Sequence, residues 1–216
     1  MATAALWVCS GVSLNAAVDL TFGLSQEFSG GQAPNSTTTP WVTALFQDVA
    51  GDDHKVQLTL TASHLTGKEN ISEFSWNFNP SSSVALGNLG ITINTPAFDA
   101  SASIGQNAFK VDGDGYYDFL LSFNTGGKDT FIGGKSFTCV ISSSAGDDLD
   151  PMNFNFLSFP SGGHGPFYAA AHIQNTTGAG TGGSGWIAPV PEASTYLAGL
   201  GALGMLGVSA LRARKR

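Results

Sequence analysis

The chain has 216 residues, 15 of them phenylalanine, and a formal net charge of −7. The charge is unevenly divided: residues 18–189 carry 15 acidic side chains against five lysines and no arginine, whereas the last five residues hold four cations. An acidic body of this kind excludes a role in nucleic-acid binding, which needs cationic surface to displace counterions from phosphate, and two cysteines exclude a disulfide-built scaffold.

From the start, Ala4 to Leu14 is an apolar run of signal-peptide length, with Ala16 or Ala17 as a small-residue end. No Lys or Arg precedes Lys55, so the basic leader region is missing and the start codon reads as late. Beyond it, period-two alternation dominates, as in Val56, Leu58, Leu60 and Ala62, in Phe74, Trp76 and Phe78, and in Tyr117, Phe119, Leu121 and Phe123. Further strands are expected at residues 18–28, 41–49, 84–93, 136–142, 153–159 and 167–173, separated by turn-rich segments such as Asn79-Pro80-Ser81-Ser82-Ser83. Nine or ten short strands, frequent turns and no long amphipathic helix predict an antiparallel β-sandwich with jelly-roll-like topology. Residues 175–189 shift to glycine, serine and threonine and read as a linker, interrupted by Trp186-Ile187, which are also compatible with a last edge strand.

Candidate chemistry in the body is sparse. Asp112, Asp114 and Asp118 occupy positions 1, 3 and 7 of a glycine-containing loop, a spacing that brings short carboxylates together on calcium. The pattern departs from a full calcium loop at Tyr116, Tyr117 and Phe123, and Asp-Gly is equally a hairpin-turn signal. Asp147, Asp148 and Asp150 read as a solvated acidic turn. His54, His64, His164 and His172 are too scattered for a zinc motif, and His172 reads as a hydrogen-bonded strand residue. Cys139 lies in an apolar strand and reads as a buried thiol. Gly134-Lys135-Ser136 lacks the first glycine of a phosphate-binding loop. Asn35, Asn70 and Asn175 head glycosylation sequons. Trp41, Tyr168 and Trp186 are the aromatic side chains expected to stack on sugar faces.

The tail is the most specific portion of the chain. Val190-Pro191-Glu192-Ala193-Ser194-Thr195 is followed by an uncharged run from Tyr196 to Leu211 and then by Arg212, Arg214, Lys215 and Arg216 around Ala213. As a helix the run would be about 24 Å long, short for a bilayer and weakened by four glycines, so it suits a removable anchor. The basic end stays cytoplasmic by the positive-inside rule, which puts the body across the membrane.

This arrangement resembles the PEP-CTERM sorting signal of Gram-negative, exopolysaccharide-producing bacteria, with Ala193 where the family box has a second proline. The resemblance implies export, transient inner-membrane anchoring, cleavage near the box by an exosortase, and release to the cell surface or extracellular matrix. Segments of the body, Val56 to Ser63, Glu73 to Pro80 and Asp112 to Asp118, more loosely resemble ectodomains of the same family, which carry no catalytic residues to transfer.

The expected organisation is a signal peptide at 1–17, an all-β ectodomain at 18–174, a linker at 175–189 and a sorting signal at 190–216, comprising the box at 190–195, a hydrophobic transmembrane helix at 196–211 and the basic end at 212–216. The expected function is non-enzymatic: a structural or adhesive protein of an exopolysaccharide or biofilm matrix, with exosortase as processing partner and exopolysaccharide as candidate matrix partner. The alternatives are a secreted carbohydrate-binding module, with calcium as its candidate cofactor, and a secreted hydrolase.

Overall fold

The computed structural model describes residues 19–177 and 182–190. The expected signal peptide, the sorting box beyond Val190, the apolar run and the basic end lie outside the described residues. Those described form twelve strands and four short 3-10 turns, with no helix long and apolar enough to cross a membrane. The strands are β1 (Leu20–Glu27), β2 (Val42–Val49), β3 (Asp52–Thr61), β4 (Asn70–Trp76), β5 (Leu89–Ile93), β6 (Ser101–Lys110), β7 (Gly115–Ser122), β8 (Phe131–Ile132), β9 (Ser136–Ser143), β10 (Phe159–Pro160), β11 (Ala169–Gln174) and β12 (Ser184–Pro189).

All pairings are antiparallel. The hydrogen-bonded path runs β6-β7-β4-β11-β12-β1-β2-β3-β9-β5, with β10 beside β7 past the end of β4 and β8 beside β4 past the end of β7. A twisted sheet this wide curls over rather than lying flat. Its outermost strands, β5 and β6, come to lie against each other. Phe46 on β2 meets Trp76 on β4 with ring centroids 6.1 Å apart, although three strands separate them along the sheet. The two halves therefore face each other across one core, as a jelly-roll-like antiparallel β-sandwich.

Period-two alternation explains which side chains fill that core. On β3, Val56, Leu58 and Leu60 are fully buried while Gln57 and Thr59 are only half-buried. Phenylalanine does most of the filling: Phe154 stacks on Phe46, 5.1 Å between centroids, and touches Phe78 and Phe119. Burying each such ring contributes on the order of 1.5–3 kcal/mol. A second cluster of Phe28, Val111, Tyr117, Phe167, Ala170, Trp186 and Ala188 covers the outer face of β11 and β12. Those two strands are thus buried on both faces.

Three expectations need correction. Ser184–Pro189, counted with the linker, is β12, an interior strand bonded to β11 on one side and β1 on the other. The flanking glycines obscured it: Gly185 stands where a Cβ would press on the Gln32 backbone and Glu27. Residues 153–159 are not one strand, because Asp150 caps a 3-10 turn at Pro151–Phe154 by accepting from the Met152 N–H at 2.6 Å. Of 84–93, only Leu89–Ile93 is extended. Two strands have no counterpart among the expected ones: β6 has no buried position in its whole length and so shows no apolar alternation, and β8 is only two residues long.

A buried carboxylate ties the surface loops to this frame. Glu69 is 1% exposed and accepts from the Asn35 N–H and Nδ2 at 2.6 Å each, the Thr66 N–H at 2.6 Å and the Thr66 Oγ1 at 3.2 Å. Asn35 Nδ2 also reaches the Thr176 carbonyl at 2.8 Å, joining the loop after β1 to the end of β11. Glu69→Ala strands these donors and should lower unfolding free energy by about 3 kcal/mol in urea denaturation. Glu69→Gln, whose amide keeps one acceptor oxygen, should fall between it and the parent.

Candidate functional site

The end of the sandwich beyond Trp76 carries a groove of about 660 Å³. Its walls come from three places: the chain after β4 (Asn77 to Leu86), a bulge in β6 at Gln106 and Asn107, and the segment Phe156–Pro160 around β10. Asp118 of β7 lies between them. Along β6 and β7 the register jumps from Ile104↔Phe119 to Phe109↔Tyr117, so three extra residues loop out of β6. Asn107 in that loop adopts φ 48°, and its N–H donates to Asp118 Oδ1 at 2.7 Å. The other oxygen, Oδ2, accepts from the Phe78 N–H at 3.1 Å. One carboxylate thus joins two walls of the groove.

The third wall is held from beneath. Ser158 is buried and its Oγ donates to Asp114 Oδ2 at 2.8 Å, while Tyr117 donates to the same oxygen at 2.5 Å. Ser158 Oγ in turn accepts from the Phe167 N–H at 3.2 Å. The Ser161 N–H donates to the Asp114 carbonyl, and the His164 N–H to that of Gly113. Gly115 makes this approach possible, since a Cβ there would fall 2.1 Å from the Phe159 carbonyl oxygen. Gly113, at φ +85°, supplies the turn. With Ser158 pinned inward, Phe156, Leu157 and Phe159 face solvent, Phe159 being 59% exposed.

The groove mixes these apolar faces with amides and hydroxyls, namely Asn77, Gln106, Asn107, Ser82 and Ser83, and Asp118 is its sole ionisable lining residue. Asn77 is 1% exposed, and its Nδ2 is a buried donor with no partner in the protein. Sealed from solvent, that donor is a feature of the groove's floor and offers no contact to a ligand.

The three aspartates of the sequence-predicted calcium loop are used separately. Asp112 is exposed, Asp114 holds the Phe156–Pro160 wall, and Asp118 joins the other two walls. Among the described residues no three carboxylate, histidine or cysteine side chains converge as a metal site. Asp-Gly-Asp-Gly is instead the turn that receives the groove wall. Burial pushes the Asp114 carboxyl above its ordinary value, an effect partly offset by its bonds from Tyr117 and Ser158. Burial and the neighbouring Asp114 hold the Tyr117 hydroxyl well above its usual range.

Elsewhere the predicted residues are structural. Trp41 is buried and donates from Nε1 to the Ser36 carbonyl at 2.8 Å. Tyr168 is half-buried and stacks on Phe22, and Trp186 is buried and stacks on His172. His172 Nδ1 bonds Ser72 Oγ at 2.9 Å, and desolvation lowers its pKa. His54 sits beside Asp148 at 3.7 Å, and His64 bonds the Pro40 carbonyl. Asp147 and Asp150 serve turn and cap. Cys139 is fully buried, with its thiol pushed up to about 12. Asn70, in the second sequon, is also fully buried. Val190 is exposed where the chain leaves β12, and the rest of the box lies outside the described residues.

The groove itself was hidden in the sequence because residues 153–159 are expected there as one strand. Pro151 before them and Ser161-Gly162-Gly163-His164-Gly165-Pro166 after them were the available signs of a loop.

No protein-family model and no curated protein matches the chain. A solved biomass-sensing module from RsgI-like proteins of Clostridium thermocellum, described as resembling the family 3 carbohydrate-binding module of the cellulosome, is similar over 71% of this chain and 91% of that one, at 9% identity and a TM-score of 0.31.

A raised Asp114 pKa means that the folded state binds the proton more tightly than the unfolded state. Its contribution to stability is therefore present below the ordinary aspartate value of 3.8 and is lost as pH rises through the raised value. Asp114→Asn, which keeps the size of the side chain, should flatten the fall of Tm with rising pH across that window in thermal melts.

Proposed function

We propose that this protein is an exported module of the cell envelope or extracellular matrix, sorted by its PEP-CTERM-like tail and cut by an exosortase, and that it adheres to a neutral glycan through the groove. The observation that carries the binding reading is the groove's composition. Exposed Phe156 and Phe159 offer apolar faces of the kind that pack against sugar rings, in a groove also lined by Ser82, Ser83, Gln106 and Asn107. No cation lines it, and its one carboxylate is already engaged by two backbone N–H groups, so an uncharged polyol suits it better than an anionic chain.

Binding is favoured over glycoside hydrolysis because hydrolysis takes a pair of facing carboxylates and Asp118 stands alone among the lining residues. The reading needs no calcium: Asp118 is engaged through both oxygens and Asp114 through Oδ2, and the two carboxylates hold different walls. Export and release rest on the tail sequence, supported by the surface position of Val190, the first residue of the box.

Two measurements test the reading. On an array of neutral polysaccharides, the released protein should bind with and without chelator, and Phe159→Ala should weaken that binding roughly tenfold, ~1.4 kcal/mol, with an unchanged Tm. Binding to no glycan would leave a purely structural matrix role. In the native host, the secreted product should lack Arg212 to Arg216 and should be absent when the exosortase is deleted. An intact tail in both strains, read by mass spectrometry, overturns the sorting assignment.

A further inference from the structure

We propose that the groove selects O-acetylated neutral glycans over the same chains with free hydroxyls. This selectivity rests on the reading of the groove as a glycan site and names the chemistry that the site prefers.

The walls differ in what they offer a sugar. The Phe156–Pro160 wall presents Phe156, Leu157, Phe159 and Pro160, all exposed. Its one hydroxyl faces the other way, because Ser158 Oγ donates to Asp114 Oδ2 and accepts from the Phe167 N–H. Ser158 could not turn outward to serve a ligand without breaking both buried bonds and taking a donor from Asp114. The apolar character of this wall is therefore fixed by the fold rather than by a choice of rotamer.

Polar capacity is also limited on the other two walls. Ser82 Oγ already accepts from the Val84 N–H at 3.2 Å, and Asn77 is sealed. Asp118 uses its two oxygens on the Asn107 and Phe78 N–H groups. The exposed polar side chains left to meet a ligand are Ser83, Gln106 and Asn107.

Each free hydroxyl of a sugar is both a donor and an acceptor. Those laid against Leu157 and its neighbours would leave water and find no side-chain partner, which weakens binding. An O-acetyl group removes the hydroxyl donor and sets a methyl against the apolar wall. Its carbonyl only accepts, and the amides of the β6 bulge are donors. Burying one methyl is worth roughly fourfold in affinity, and sparing a hydroxyl from unpaired burial adds to that.

Charge separates acetyl from the acidic substituents of polysaccharides. No cation lines the groove, and residues 18–189 hold 15 acidic side chains against five lysines and no arginine. An anionic substituent would enter an acidic field with no partner, whereas an ester carries no charge.

Paired titrations test this selectivity. Neutral glucomannan and galactoglucomannan, each in O-acetylated form and after mild alkaline deacetylation, are titrated into the purified chain by calorimetry. The acetylated member of each pair should bind roughly tenfold tighter. Leu157→Asn, which places a donor and an acceptor on the apolar wall, should cut that preference to about twofold or less. Its Tm should be unchanged, because Leu157 is exposed. Equal affinity for the two members of each pair overturns the selectivity and leaves the glycan reading in place. A preference that survives Leu157→Asn undiminished overturns it too, since the selecting surface then lies elsewhere. Binding to neither member of either pair, by a chain that melts cooperatively, overturns the selectivity and the glycan reading together.

Discussion

The structure depends on the pairing of β12 between β11 and β1. Remove that strand and the sheet falls into two ribbons, β6-β7-β4-β11 and β1-β2-β3-β9-β5, each with an open edge and half a core. Ile187 points into the main core while Trp186 and Ala188 pack in the outer cluster, so the strand is held by apolar burial on both faces as well as by its ladders. It is also the last described element in the chain. Closure of the sheet therefore waits on the most C-terminal of the described strands, and the pairings of β12 with β1 join residues more than 150 positions apart in sequence, such as Leu24 and Pro189. Such long-range closure is slow compared with local hairpin formation.

Charge is used sparingly within this frame, and where it is buried it organises backbone. Glu69, Asp114 and Asp118 each sit at a junction between segments distant in sequence, and each accepts from neutral donors rather than from a cation. A carboxylate oxygen can take two donors at once, which suits it to joining loops that have no ladder of their own. The groove is a product of two of these junctions. Its shape follows from Asp118 holding the β6 bulge to the end of β4, and from Asp114 turning Ser158 inward so that the neighbouring phenylalanines face out.

Legibility in the sequence followed burial. β3, β4 and β7 were readable because one face of each meets the core, which forces apolar residues into every second position. β6 was not, since an edge strand with no buried position imposes no such pattern. β12 was masked by its glycine-rich surroundings, where the close approach to Gln32 demands a residue without a side chain. The acidic loop at Asp112 to Asp118 was legible as a turn, but the partners of its carboxylates are remote: Ser158 and the Phe78 N–H are far along the chain in either direction, and Asn107 sits on an irregular bulge. The groove is assembled from such distant pieces, and no local pattern announces it. Exposed aromatics were anticipated, but on the wrong residues: Trp41, Tyr168 and Trp186 were large enough to be drawn into packing, whereas Phe156 and Phe159 are kept outside by the serine between them.

The placement of both described ends at one face has a mechanical consequence. Leu20 and Pro189 belong to neighbouring antiparallel strands and point their chains out the same way, so tension applied between them acts across the hydrogen bonds rather than along them. Bonds loaded in that direction break in succession, beginning with the pair at Leu24 and Pro189, instead of resisting together in shear. A sandwich pulled through these two strands would open like a zipper, yielding at low force rather than holding stiff.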